Sequence, residues 1–293
     1  MPGSPDFLAI GHVARDLHPD GTFSLGGTVT FAALTAHRLG VTSGIVTRAD
    51  PQLAIDLPQL LPDLALQLCP STATTTFKNL YHEGFRTQYL HARAESILPA
   101  DVPTAWRASP IVLLGPLAQE LDPAFVTLFP RRPGAIIAAT PQGWLRRWDT
   151  SGRVWPTPWL AAENVLPLLD ALILSHDDLL PFANDNREEA DSMLARWSQL
   201  VPLLVATNGR YGATLFRHGT AQRFPAYVAS EIDPTGAGDV FAAAFLIHLY
   251  KYGEPEKAVD FANCTASFSI QQQGIAAIPT LAMVAERLRS PDQ

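Results

Sequence analysis

Three lysines, Lys78, Lys251 and Lys257, are all that this 293-residue chain has, and none follows a glycine-rich turn. The pattern Gly-x-x-x-x-Gly-Lys-Ser/Thr does not occur, which excludes a P-loop phosphate site as far as a motif can. Two cysteines, Cys69 and Cys264, are too few and too far apart for a disulfide framework. The opening Met-Pro-Gly-Ser-Pro-Asp has no basic or apolar leader pattern, so a reducing cytoplasm is the expected compartment. No apolar run approaches the ~20 residues that span a bilayer. Positive charge is also short: the net charge is −7 and the pI is near 5.6, which argues against a nucleic-acid backbone or an anionic membrane as partner. No internal repeat, low-complexity tract or charge block marks a linker.

What the chain has instead is apolar bulk. Hydrophobic residues make up 47% of it. A single domain of this length buries roughly three quarters of its unfolded surface, so one α/β domain over 1–293 suffices. The run at 7–13 reads as a buried first strand with Asp16 at its carboxyl end. Gly26-Gly27 leads into Thr30, Ala33, Leu34, His37, Leu39 and Gly40, a helix with a glycine stop. A strand at 44–47 and a helix near 51–61 follow. Residues 73–93, rich in threonine and aromatics with His82-Glu83-Gly84 at a turn, read as an antiparallel hairpin. From Ile111, apolar runs at 111–114, 135–139, 171–174 and 203–206 alternate with helical patterns. That alternation predicts a mostly parallel sheet with helices on both faces, in three α/β/α layers. A strand pair at 212–225 and helices from 239, near 254–272 and at 280–289 come next.

Residues 232–245, Ile-Asp-Pro-Thr-Gly-Ala-Gly-Asp-Val-Phe-Ala-Ala-Ala-Phe, join an anion-binding helix start to a carboxylate one turn inside it. Pro234 halts an incoming strand and Thr235 is placed to cap. Gly236 and Gly238 lack the Cβ atoms that would keep a polyanion from the Ala237, Gly238 and Asp239 amides. Those amides and the helix dipole attract negative charge, and Asp239 is set to accept a proton from an alcohol attacking phosphorus. Ligands of an open parallel sheet bind beyond the carboxyl ends of its strands. Asp16, Gly26, Gly27, Gln142, Ser175 and Thr207 all follow expected strands.

The stretch Asp-x-Thr-Gly-Ala-Gly-Asp resembles the second motif of the ribokinase-like (PfkB) carbohydrate kinases, and the resemblance runs nearly end to end. It implies a ribokinase-like fold with a small β lid, from segments at about 15–25 and 73–93, and ATP-dependent phosphorylation of a polyol hydroxyl. Carried over residue by residue, Asp239 is the catalytic base, with Gly236, Ala237 and Gly238 as the anion hole. Gly11-x-x-x-x-Asp16 and Gly26-Gly27-x(10)-Arg38-Leu39-Gly40 match the first family motif. There Asp16 binds substrate hydroxyls, two at once if they are adjacent, and Gly26 and Gly27 line the pocket. Thr207-x-Gly209-x-x-Gly212 resembles the nucleotide loop, while Asn263 and Gly274 fall where the family lines the adenine site. Ser175-His176-Asp177-Asp178 stands where the family has Asn-x-x-Glu, so Asp178 is the implied Mg²⁺ organiser; Ser175 also reads as a helix N-cap. Asp233 and Thr235, with Gly274 and Ala277, match the monovalent-cation site of K⁺-dependent members. A homodimer through the lid is compatible with the resemblance.

The chain departs from the ribokinase pattern at Phe31, where the family often has a sugar-binding Asn, and at 139–149. Many sugar kinases read Asp-x-Asn-x-Arg in that second segment. Here Thr140 replaces the acid, Gln142 replaces the Asn and Arg146 is kept. The segments at 139–149, 206–212 and 224–233 are similar to the myo-inositol kinase branch, which favours a cyclitol or other polyol over ribose. A nucleoside kinase, with Phe31, Phe77 and Tyr89 stacking on a base, is the alternative. A non-catalytic sugar sensor is a third reading, supported only by the altered Ser175 motif.

Overall fold

The computed structural model describes residues 3–82 and 85–289, so the expected turn at Glu83-Gly84 lies outside them. Four fully buried residues form β1 (Phe7–Ile10), the two-sided apolar run of a parallel-sheet strand. The chain then leaves that sheet through β2 (Ala14–Leu17) and β3 (Phe23–Gly26), and α1 (Thr28–Arg38) returns against it. Next come β4 (Ser43–Ala49), α2 (Pro51–Leu60), β5 (Ala65–Pro70), β6 (Thr75–His82) and β7 (Phe85–Ala92). They are followed by β8 (Ile111–Leu114), β9 (Ile136–Ala139), β10 (Arg146–Trp148), β11 (Val154–Pro156), α3 (Ala162–Val165), β12 (Ala171–Ser175) and α4 (Arg187–Trp197). The remaining elements are β13 (Leu203–Thr207), β14 (Ala213–Arg217), β15 (Thr220–Phe224), α5 (Ala237–Tyr252), α6 (Pro255–Ser269) and α7 (Leu281–Arg289).

The main sheet has the order β15-β14-β13-β12-β9-β8-β1-β4-β5. The strands from β13 to β5 are parallel, and the antiparallel pair β14-β15 closes one edge. One face is buried under α1, α2, α5 and α6 through Val29, Leu53, Phe241, Phe245 and Phe261. Helices were expected between β8 and β12 on the other face, and that expectation fails. Short 3₁₀ turns at Pro123–Leu128 and Pro141–Leu145, the β10-β11 hairpin and the four-residue α3 stand there instead. Pro116, Pro123, Pro130, Pro133, Pro141, Pro156, Pro158 and Pro167 interrupt much of this segment, and the only α-helix among its described residues is the four-residue α3. Tryptophans supply the missing cover: Trp144 stacks on Trp159 at 4.9 Å between centroids, and Trp159 meets Trp197 edge-on at 5.7 Å.

A second sheet, ordered β3-β2-β6-β7, stands off the first. The expected strand at 7–13 ends early because the chain passes so close to Gly115 that a Cβ on Gly11 would lie 2.3 Å from its carbonyl oxygen. Asp16 therefore sits on β2 in the second sheet, not at the carboxyl end of β1. It shares a face with Phe77, its register partner, which packs with Leu90, Leu117 and Trp148 against the body.

Buried hydrogen bonds tie the segments that cross between the sheets. The Glu120 carboxylate, wholly buried, accepts the His12 amide at 2.9 Å, the Leu117 amide at 2.9 Å and the Ala118 amide at 2.7 Å. The His12 ring meets Thr75 Oγ1 at 2.6 Å and the Glu95 carbonyl at 3.0 Å. Removing the carboxylate strands three buried donors, each worth ~1–3 kcal/mol. Glu120→Ala is therefore expected to lose about 3 kcal/mol or more in urea unfolding; a loss below about 1 kcal/mol would show that the loops hold without it. Among the described residues no helix is long and apolar enough to cross a membrane.

Candidate active site

The carboxyl ends of β9, β12 and β13 meet the start of α5 around a cavity of about 70 Å³. Thr140, Gln142, Ser175, Asp178, Thr207, Gly238 and Asp239 line it. A larger cleft of about 650 Å³ lies beside α4, lined by Arg187, Tyr211 and Arg223 among others, and holds none of the site residues expected from the sequence.

Gly236, left-handed at φ 79, caps α5 without any side-chain bond. Thr235 does not cap, contrary to expectation; its amide donates to Asp233 Oδ1 at 3.0 Å in the turn before the helix. The Ala237 amide donates to the Pro234 carbonyl at 3.2 Å and the Asp239 amide to the Gly236 carbonyl at 3.0 Å. The Gly238 amide has no backbone acceptor among the described residues, which leaves it for a ligand. The two glycines answer different demands. A Cβ on Gly236 would meet the Phe31 ring at 2.4 Å, whereas one on Gly238 would meet nothing within 4 Å.

Asp239 lies in the first turn of α5, half-buried on the wall of the cavity. Burial raises its pKa to about 6, against the Thr28 hydroxyl, which hydrogen-bonds it, and the Arg146 charge, which both pull it down; Asp178 adds to the rise. The Asp178 carboxyl is raised too, by burial first, while Arg146, the Ser175 amide and Gln142 oppose the shift. Ser175 and Asp178 cap each other's turn: the Ser175 amide donates to Asp178 Oδ2 at 3.1 Å and the Asp177 amide to Ser175 Oγ at 3.2 Å. The N-cap reading of Ser175 thus describes its geometry. Among the described residues no three His, Cys, Asp or Glu side chains cluster as a ready-made metal cage. Asp178 in the cavity fits Mg²⁺ in the looser way, as one carboxylate beside phosphates and water.

Asp16 approaches from the second sheet, so close that a Cβ on Gly26 would lie 2.1 Å from its Oδ2. Gly27, at φ 98, caps α1, and Thr28, the first helical residue, reaches Asp239. Asp16 and Asp239 therefore flank the Gly26-Gly27-Thr28 corner. Thr207 closes the cavity at the end of β13, its hydroxyl on the Leu174 carbonyl at 3.3 Å. Gly209 at φ 48 and Gly212 at φ 87 shape the loop that follows. Asn263 and Gly274 do not line this cavity; the Asn263 side chain donates to the Pro225 carbonyl at 3.1 Å. Thr28 escaped the sequence reading, and Thr140 entered it only as the residue that replaces an acid. A hydroxyl directly after Gly-Gly was the one available signal for Thr28.

Residues 151–281 match the family described as pfkB family carbohydrate kinase. Fructokinase-2 of Zea mays is 29% identical over 161 residues, 50% of this chain and 48% of that protein; the chain spans about half the length of the plant fructokinases it matches. A solved pyrophosphate-dependent kinase in the ribokinase family, complexed with a pyrophosphate analog and myo-inositol, superposes with a TM-score of 0.79 at 22% identity, covering 96% of this chain and 99% of its own. Arabidopsis thaliana ribokinase, complexed with ribose and ATP, superposes with a TM-score of 0.73 at 19% identity over 98% and 99%. Residues 151–281 are thus similar to the pfkB carbohydrate kinases, and the chain as a whole has the ribokinase-like fold.

Proposed function

We propose that the protein is a kinase that transfers a phosphoryl group from ATP to a hydroxyl of a neutral polyol, a cyclitol or non-ribose sugar, in the cytoplasm. The observation that carries this reading is the Asp239 carboxyl, raised to about 6 in a cavity it shares with the open Gly238 position. The acceptor lies over the Gly26-Gly27-Thr28 corner, held by Asp16, with the reacting hydroxyl at Asp239. Asp239 takes the proton late, and the Gly238 amide and the α5 dipole stabilise charge on the transferring group. The 207–212 loop holds the donor, and Mg²⁺ near Asp178 neutralises phosphate charge. Asp233 and Thr235 are offered to K⁺.

Polyol preference over ribose follows from Phe31, which is 2% exposed, packs on Gly236 and presents no polar group where the family has a sugar-binding Asn. Its burial, and that of Phe77 at 4%, removes two of the rings that a nucleoside reading needs.

The test is turnover with Mg·ATP, and with pyrophosphate in parallel, across ribose, fructose, inositols and nucleosides. A hydroxyl left unpaired costs ~1–3 kcal/mol, so a cyclitol or non-ribose sugar is expected to exceed ribose in kcat/KM by roughly tenfold or more. Ribose as best acceptor would sink the substrate assignment. No turnover of any acceptor with either donor would sink the kinase.

A further inference from the structure

We infer that Thr140 contacts the acceptor: its hydroxyl hydrogen-bonds a polyol oxygen next to the one that is phosphorylated. The inference rests on the kinase reading and adds a residue to the acceptor side of that site.

Thr140 is 7% exposed, and its Oγ1 is buried with no hydrogen-bond partner among the described residues. Its surroundings are otherwise satisfied. Gln142 bonds Asp178, and Thr28 bonds Asp239. A threonine hydroxyl normally finds an acceptor, often a backbone carbonyl one turn back, as Thr30 does on Gly26 and Thr35 on Phe31, each at 2.7 Å. Thr140 has extended backbone, φ −109 and ψ 110, and its amide is fixed to the Leu114 carbonyl at 3.0 Å. With main chain fixed and a stiff β-branched χ1, the hydroxyl has little freedom to seek a partner elsewhere.

Its position says which ligand would meet it. Thr140 lines the cavity with Asp239. A Cβ on Gly115 would stand 3.6 Å from Thr140 Oγ1 and 2.5 Å from Thr28 Cγ2, so both threonines converge over Gly115. Thr28 bonds the carboxylate assigned as base and adjoins the Gly26-Gly27 corner, so Thr140 stands on the acceptor side. A hydroxyl both donates and accepts, which suits an uncharged sugar oxygen of either kind.

Thr140→Val keeps the shape and deletes the hydroxyl. With the best acceptor among ribose, fructose and myo-inositol, kcat/KM is expected to fall roughly 10- to 100-fold through acceptor KM and kcat, with donor KM unchanged. The melting temperature should hold or rise, because a buried unpaired group has gone. Thr140→Ser should restore most of the activity. Thr140→Ala carries the same comparison if the valine variant does not fold. A valine or alanine variant within threefold of wild type overturns the inference, as does a loss that serine fails to rescue. Asp239→Asn, run alongside, separates the two readings. If the wild type phosphorylates no acceptor, the kinase reading falls and this one with it; if the wild type turns over, Asp239→Asn is inactive and Thr140→Val is intact, only the role of Thr140 falls.

Discussion

Asp239→Asn is expected to lower turnover by two or more orders of magnitude and, in the same protein, to raise the melting temperature. The first effect is the loss of a positioned base; the fold and most donor binding should remain. The second follows from linkage. The Asp239 pKa is raised from an ordinary 3.8 to about 6, so the folded state binds that proton more tightly than the unfolded chain. The stabilisation is fully present below about 3.8 and is lost as pH rises through about 6. At neutral pH the ionised carboxylate therefore sits in the fold at a cost of order 1–3 kcal/mol, which a neutral Asn removes. Activity has the opposite slope, since a base must be ionised: kcat/KM of the wild type should decline as pH falls through about 6. Turnover of the Asn variant within fivefold of wild type would remove Asp239 from the role.

Gly238→Val should abolish catalysis by a different route. The position of its Cβ opens on space within the cavity, with nothing within 4 Å, so the protein itself tolerates the side chain. Valine is also no worse than glycine inside a helix. A phosphoryl group approaching the Gly238 amide meets a branched side chain instead. The expected result is turnover down at least about 100-fold and Mg·ATP affinity down at least about tenfold, with the melting temperature within a degree or two. Calorimetry showing unchanged donor affinity, together with an unchanged rate, would contradict the assignment of that amide.

Much of this was legible from residue pattern. The parallel strands of the main sheet announce themselves because they are buried on both faces and read as unbroken apolar runs, and the 232–245 stretch carries its glycines and acid at fixed spacing. What the pattern concealed has physical reasons. The strands β2 and β3 are short and half-exposed, so residue pattern alone put Asp16 at the end of β1, and only the family resemblance set 15–25 apart as a lid segment. The β8-to-β12 face is covered by stacked tryptophans and proline-led turns, which have no helical period. Phe31 reads as a ring free to stack, yet it is buried because Gly236, far along the chain, leaves it a seat. The Thr28 bond to Asp239 and the unpartnered Thr140 hydroxyl are facts of three-dimensional approach, and no local pattern encodes them.

The pairing of Thr28 with Asp239 also has a meaning for biosynthesis. These residues lie some two hundred positions apart, on α1 and α5. At typical rates of ~5–20 residues per second, the ribosome spends roughly 10–40 s between them. During that interval a nascent chain displays Asp16 and the Gly26-Gly27 corner without the carboxylate proposed as base, while the apolar stripe of Val29, Ala32, Ala33 and Ala36 awaits the helix that will cover it. Unfinished chains thus expose that apolar stripe until residue 252 has emerged, which makes the interval the one in which the chain is most prone to aggregate.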